Sequence, residues 1–134
     1  KDIIFDFDKS LSFEGDSGPY LQYTAVRAKS VLDKAHELKI GINTKKKDDN
    51  ILVLERMLYQ LPEVVERAGQ DKSPQLLVTY LSDLAASFNS FYSSTKILDE
   101  SNESASYYLG LTKATRRVLK NGLSILGILV PDKM

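Results

Sequence analysis

The sequence predicts an all-α domain, a helical bundle of four to five helices. Three observations point there. Apolar residues recur at spacings of three and four along most of the chain, strand signals are nearly absent, and prolines and glycines fall where helices start and stop. A chain of 134 residues suffices for one domain and is too short for two ordinary ones.

Residues 1–18 stand apart as an opening segment. Ile3, Ile4, Phe5, Phe7, Leu11 and Phe13 alternate irregularly with Asp2, Asp6, Asp8, Glu14 and Asp16, and the turn residues Gly15-Asp16-Ser17-Gly18 close the stretch. Pro19 then suits a first helical turn, where its missing N–H would have had no partner anyway. Leu21, Ala25, Ala28, Leu32 and Ala35 share one face of the helix that follows, which runs to about Lys39. A polar loop carries Lys45-Lys46-Lys47 and Asp48-Asp49, and Asp49 or Asn50 is placed to cap a short helix over 51–61. Pro62 interrupts it, and a second short helix over 63–68 ends at Gly69.

Ser73-Pro74 pairs an N-cap with proline at the first helical position. The long helix it opens has the clearest amphipathic stripe in the chain: Leu77, Tyr80, Leu81, Leu84, Phe88 and Phe91. After a polar break Asn102 is placed to cap the last helix. That helix runs to about Leu126 and turns Leu111, Val118, Leu119, Ile125 and Leu126 inward. Gly127 supplies a left-handed residue beyond its end, Ile128 an apolar contact, and Pro131 a stop.

Composition excludes more than it assigns. Without cysteine there is no disulfide, zinc thiolate or thiol nucleophile, and one histidine, His36, leaves no multi-histidine site. His36 reads as an exposed helical side chain, and Asp6-x-Asp8 lacks the companion motifs of a metal or phosphatase dyad. No catalytic residue and no metal site are expected. No apolar run approaches the roughly 18 residues of a membrane span, and no signal peptide opens the chain. A cytoplasmic domain with no membrane partner is the expectation. A start at Lys1 suggests a piece of something longer.

Eighteen basic and eighteen acidic side chains cancel, yet they are segregated. Arg27, Lys29, Lys34, Lys39 and Lys45–Lys47 crowd a stretch with only Asp33 and Glu37. From Leu109 to Pro131, Lys113, Arg116, Arg117 and Lys120 stand with no acid. One electropositive face for a phosphate backbone is the functional reading, and two solvated helix faces the plainer one. Tyr80 lies on the apolar stripe and belongs to the core. Tyr20 and Tyr23, beside a glycine-rich turn, and Tyr92, one residue off the stripe, read equally as base-stacking or packing groups. Of Tyr107 and Tyr108, at most one can face the core.

The stretch Phe13-Glu14-Gly15-Asp16-Ser17-Gly18-Pro19-Tyr20-Leu21-Gln22-Tyr23, followed by Arg27, closely resembles the opening of the C-terminal domain of arginyl-tRNA synthetases. Tyr80-Leu81 through Asp83-Leu84-Ala85 and Phe88-Asn89-x-Phe91-Tyr92 is similar to that family's central anticodon-domain helix. Ala114-Thr115-Arg116-Arg117-Val118-Leu119-Lys120-Asn121-Gly122-Leu123, then Leu126-Gly127-Ile128 and Pro131-Asp132-Lys133-Met134, resembles its final helix and chain end. The HIGH- and KMSKS-type signatures of the nucleotide-binding catalytic domain are not in the sequence.

The resemblance implies an α-helical DALR anticodon-binding domain over 19–134, with 1–18 leading in from an absent catalytic domain. It implies a partner, the anticodon stem-loop of tRNA-Arg, within an enzyme that joins arginine to tRNA using ATP with magnesium. This piece alone is expected to hold no cofactor and to be inactive and monomeric. Arginine tRNAs share a middle anticodon cytosine, so the family needs a pocket for that base. By similarity Tyr20, Tyr23, Tyr92 and the terminal Met134, with its thioether and carboxylate, are base-contacting groups. Arg27, Lys113, Arg116 and Arg117 are phosphate contacts, and Gln22 is a polar helper. Where the family often has Arg-Leu-x-Leu, this chain has Tyr108-Leu109-Gly110-Leu111, which removes one expected phosphate contact. Gly110 also costs about 1 kcal/mol of helix propensity. The alternative reading is a helical protein-interaction module without RNA binding of its own.

Overall fold

A computed structural model describes residues 17–43, 51–99 and 101–134. Residues 1–16 of the opening segment and the Lys45–Asn50 run lie outside the described residues, as do the roles expected there for Asp49 and Asn50. Five helices form among the described residues: α1 Gly18–Glu37, α2 Val53–Tyr59, α3 Leu61–Gln70, α4 Pro74–Ser94 and α5 Ala105–Ile125.

Helix α1 starts as its sequence dictates. The Ser17 hydroxyl accepts from the Tyr20 backbone N–H at 3.2 Å, and Pro19 sits in the first turn. Leu21, Ala25, Ala28 and Ala35 are buried along its inner face, joined by Thr24, Val26 and Val31. The break between the two short helices falls at Gln60 and not at Pro62. Proline is tolerated in the first turn of α3, where its nitrogen needs no partner. The cap of α2 is at Leu52, whose backbone N–H donates to the Glu55 carboxylate at 3.1 Å. Helix α3 runs past Gly69 to Gln70, and Lys72, with φ 49°, makes the left-handed turn expected of the glycine. Ser73 stands at the N-cap position and Pro74 opens α4 as expected, but the Ser73 hydroxyl donates to the Asp71 carbonyl at 3.2 Å instead of capping the helix.

Asn102 caps the turn before α5 rather than the helix: its side-chain oxygen accepts from the Ser104 N–H at 2.8 Å. The buried face of α5 is Ala105, Leu109, Leu111, Thr112, Thr115, Leu119, Gly122 and Leu123. Ile125, expected inside, is 61% exposed. Threonine and glycine occupy the centre of the true stripe, which hides it from an apolar count. The two hydroxyls are satisfied within the helix, Thr112 donating to the Tyr108 carbonyl and Thr115 to that of Leu111, both at 2.9 Å. Beyond α5, Gly127 has φ 77°, and the Ile128 N–H donates to the Leu123 carbonyl at 2.8 Å. This is the glycine-terminated helix end read from the sequence.

Packing joins these elements around two clusters. Leu21, Ala25 and Ala28 of α1 meet Leu77, Leu81, Leu84 and Phe88 of α4 and Leu119 and Leu123 of α5, with Leu54 of α2 closing one side. A smaller cluster of Val31, Ala35, Ile97 and Leu109 extends the core past the end of α4. Phe91 packs against both. Tyr107 packs against the first cluster and Tyr108 against the second, so each tyrosine of the pair finds an apolar neighbour.

Candidate nucleic-acid interface

The cavity of interest opens between the outer face of α1, the end of α4 and the chain terminus. Its volume is about 570 Å³, and its floor and rim include Tyr23, Arg27, Lys34, Tyr92, Lys96 and Met134. Helix geometry sets the first three: positions 23, 27 and 34 lie at helical spacings on α1, beside the buried Val26 and Val31. On α4, Tyr92 stands one turn after Phe88, whose ring centroid lies 6.4 Å away. Phe88 is fully buried while Tyr92 is 42% exposed, so the helix end rotates its aromatic face from core to solvent.

The chain terminus reaches this groove because of the turn at Gly127. That turn sends Ile128 and Val130 back onto the first core cluster. Gln22 then holds the returning chain, its amide donating to the Leu129 carbonyl at 2.6 Å. Five residues on, Met134 lines the groove with 49% exposure.

Arg27 is the centre of the site. Its guanidinium carbon lies 4.8 Å from the Tyr23 ring centroid and 5.3 Å from that of Tyr92. Both distances are within cation–π range. One guanidinium N–H donates to the Asn89 side-chain oxygen at 2.6 Å. Among the described residues no carboxylate pairs with Arg27. A positive charge set against two aromatic faces, with no such counter-ion, can take a phosphate, a base edge or a stacked ring. At the far side of the groove Lys96 lies 3.4 Å from Asp99. The Asp99 carboxyl is held below its ordinary range by hydrogen bonds from the Ser101 hydroxyl and backbone N–H, with Lys96 adding to the effect.

The structure thus brings Tyr23, Arg27, Tyr92 and Met134 together. Tyr20 stands behind them, joined through Asn89, whose side-chain amide donates to the Tyr20 hydroxyl at 3.0 Å. Gln22 anchors the terminal segment. Lys113, Arg116 and Arg117 lie on α5 outside the groove lining, with Lys113 and Arg117 exposed and Arg116 half-buried. Sequence reasoning missed Asn89, Lys34 and Lys96 as members of this site. The signal for Asn89 was a polar residue between Phe88 and Phe91 on an otherwise apolar stripe, which must find partners once buried. Lys96 follows the end of α4, so no helical spacing ties it to Tyr92.

Among the described residues there is no group of three or more His, Asp or Glu side chains that could hold a metal. No described helix is long and apolar enough to cross a membrane.

Comparison with known proteins bears on this geometry. The family described as the DALR anticodon binding domain matches residues 21–134. An arginine–tRNA ligase of Fusobacterium nucleatum is 42% identical over 99% of this chain and 24% of its own length. That of Halothermothrix orenii is 38% identical over all of this chain and 24% of its own. The solved arginyl-tRNA synthetase of Thermus thermophilus superposes with a TM-score of 0.79 at 34% identity, covering 100% of this chain and 24% of that one. The chain therefore spans about a quarter of the length of these relatives.

Proposed function

This chain belongs to the DALR anticodon-binding domain family, and from that premise we propose that it serves an arginine–tRNA ligase by holding the anticodon stem-loop of tRNA-Arg. In this reading residues 19–134 are the RNA-binding body and 1–18 lead in from the catalytic part. ATP and magnesium act in the portion of the ligase that the chain does not span. The chain alone does not aminoacylate, and it works as a monomer in the cytoplasm.

The observation that carries the reading is Arg27 placed over both the Tyr23 and Tyr92 rings at an open groove. A loop base that leaves its stack loses stacking energy, and an exposed tyrosine face restores part of it, about 1–3 kcal/mol per base. Arg27 adds a donor fork for the base edge or its phosphate. The Met134 thioether supplies a soft apolar contact to the ring. Lys113, Arg116 and Arg117 hold the stem backbone at a distance from the base pocket, which assigns them affinity without base preference.

Fluorescence anisotropy with a labelled anticodon stem-loop tests this. Binding that is salt-dependent and tighter for a middle cytosine than for a middle uracil is expected. Equal affinity for both loops at every salt concentration would remove base reading from this domain.

A second reading rests on a separate observation. Ile51, Val53 and Tyr59 stand exposed beside an apolar cavity between α2 and α5, with Tyr59 91% exposed. A protein-contact surface there is compatible with RNA binding at the Arg27 groove, and sedimentation of the chain over a concentration range detects self-association through it.

A further inference from the structure

The groove is longer than one base. Its α1 wall runs from Tyr23 to Lys34, about 16 Å along the helix axis. Its volume of about 570 Å³ falls in the range of roughly 300–1,000 Å³ that encloses a whole drug-sized ligand, well above a single planar ring. The two ends differ in chemistry. Tyr23 and Tyr92 flank Arg27 at one end. At the other, the floor is Val31, Ile97 and Leu98, with no aromatic side chain. Val31 and Ile97 are buried in the smaller core cluster and Leu98 packs against it, so this floor is already ordered before anything binds.

Two cations from different elements border that floor: Lys34 from the last turn of α1 and Lys96 from the chain just past α4. Both are exposed. Lys34 forms no ion pair among the described residues. Lys96 meets Asp99 Oδ2 at 3.4 Å, a long contact in solvent and therefore a weak one. Asp99 does not depend on it, because Oδ1 accepts from the Ser101 hydroxyl at 2.6 Å and from the Ser101 backbone N–H at 3.0 Å. Lys96 is thus free to exchange this contact for a phosphate shared with Lys34.

We infer that the Lys34–Lys96 end is a second subsite, which takes the ribose and phosphodiester adjoining the base held at Arg27. This rests on the anticodon-loop reading above and deepens it. Lys34 stands about two helical turns beyond Arg27, within reach of the neighbouring nucleotide. The ribose lies on the apolar floor and the phosphate between the two ammonium groups. This end therefore fixes how far the loop enters the groove and carries no base preference.

Neutralising single phosphates in the RNA tests it. Anticodon stem-loops of tRNA-Arg are made with one uncharged methylphosphonate link, directly 5′ of the middle cytosine, directly 3′ of it, or in the distal stem. A 2′-deoxy phosphodiester at the same place is the control. Each is titrated against the full chain and against a Lys34→Gln, Lys96→Gln double variant, with melting temperature measured alongside. A neutral link at one or both adjacent positions is expected to weaken binding to the parent about fivefold and to the double variant hardly at all. The distal link is expected to act alike on both proteins. In a parent that binds the stem-loop, no loss at either adjacent link, or an equal loss in parent and double variant, overturns the inference while the function reading stands. A parent that binds no stem-loop overturns both.

Discussion

Arg27, Tyr23 and Tyr92 stand at the rim of a groove, the guanidinium lying over two partly exposed rings. Replacing Tyr23 or Tyr92 by alanine is therefore expected to weaken stem-loop binding by about 1–3 kcal/mol, with the unfolding midpoint in urea moving little. Equilibrium titration beside a denaturation curve checks both halves. Tyr80 is the opposite case. It is 6% exposed and donates to the Met57 carbonyl at 2.8 Å. Tyr80→Phe removes one of two donors to that carbonyl, the Gln60 N–H remaining at 3.1 Å, and should cost about 1 kcal/mol of stability, with RNA affinity unchanged.

Burial also pushes the Tyr80 phenol up to about 12 from its ordinary 10.0. The unfolded chain loses this proton before the folded chain does. Its contribution to stability is whole below pH 10 and declines as pH rises toward 12. Urea unfolding between pH 8 and about 12 should show the parent losing its advantage over Tyr80→Phe across that window. The roles of Tyr80 and Tyr23 were legible at different levels. Tyr80 sits on a periodic stripe, whereas Tyr23 needed the resemblance, because an exposed aromatic on a helix carries no periodic signature. Asn89 was legible only in structure, since its meaning depends on partners 62 to 69 residues away in sequence.

Among the elements, the close approach of α4 and α5 depends on one small residue. A Cβ built on Gly122 would lie 2.6 Å from Leu81 Cδ2 and 2.8 Å from Cδ1, and Leu81 is fully buried with nowhere to move. Gly122→Ala is expected to destabilise the domain by about 1–3 kcal/mol through overpacking, despite alanine's better helix propensity. Chemical denaturation measures it. At Gly110 an added Cβ would meet the Asn43 carbonyl oxygen at 3.0 Å, so the helix-propensity cost there goes with a loop crossing α5. The starts of α1 and α4 and the C-terminal end of α5 were legible because proline, serine and glycine act locally there. The α2–α3 junction was misplaced because Pro62 fits inside a first turn as well as after a last one. The inward face of α5 was blurred because Thr112, Thr115 and Gly122 are buried without being large and apolar.

At the scale of the whole molecule, the basic side chains assigned to RNA are divided between two places. Arg27, Lys34 and Lys96 border the groove, while Lys113, Arg116 and Arg117 lie on α5 outside its lining. The sum of charges, formally zero, conceals this division. Replacing Arg116 and Arg117 by glutamine should weaken cytosine and uracil loops equally. It should also flatten the dependence of log K on log salt by about 1 for each phosphate no longer neutralised. Replacing Tyr92 should leave the salt slope nearly unchanged. Anisotropy at four salt concentrations separates the two classes.

The central claim is that the Arg27 groove receives a base of the anticodon loop. Titration of the isotopically labelled chain with an anticodon stem-loop of tRNA-Arg tests it most directly, read residue by residue from NMR chemical shifts. The largest changes are expected at the Arg27 guanidinium, the Met134 methyl group and the rings of Tyr23 and Tyr92, with smaller changes along α5. Changes at saturation confined to the α2–α3 face, with the Arg27 groove signals unmoved, would contradict it.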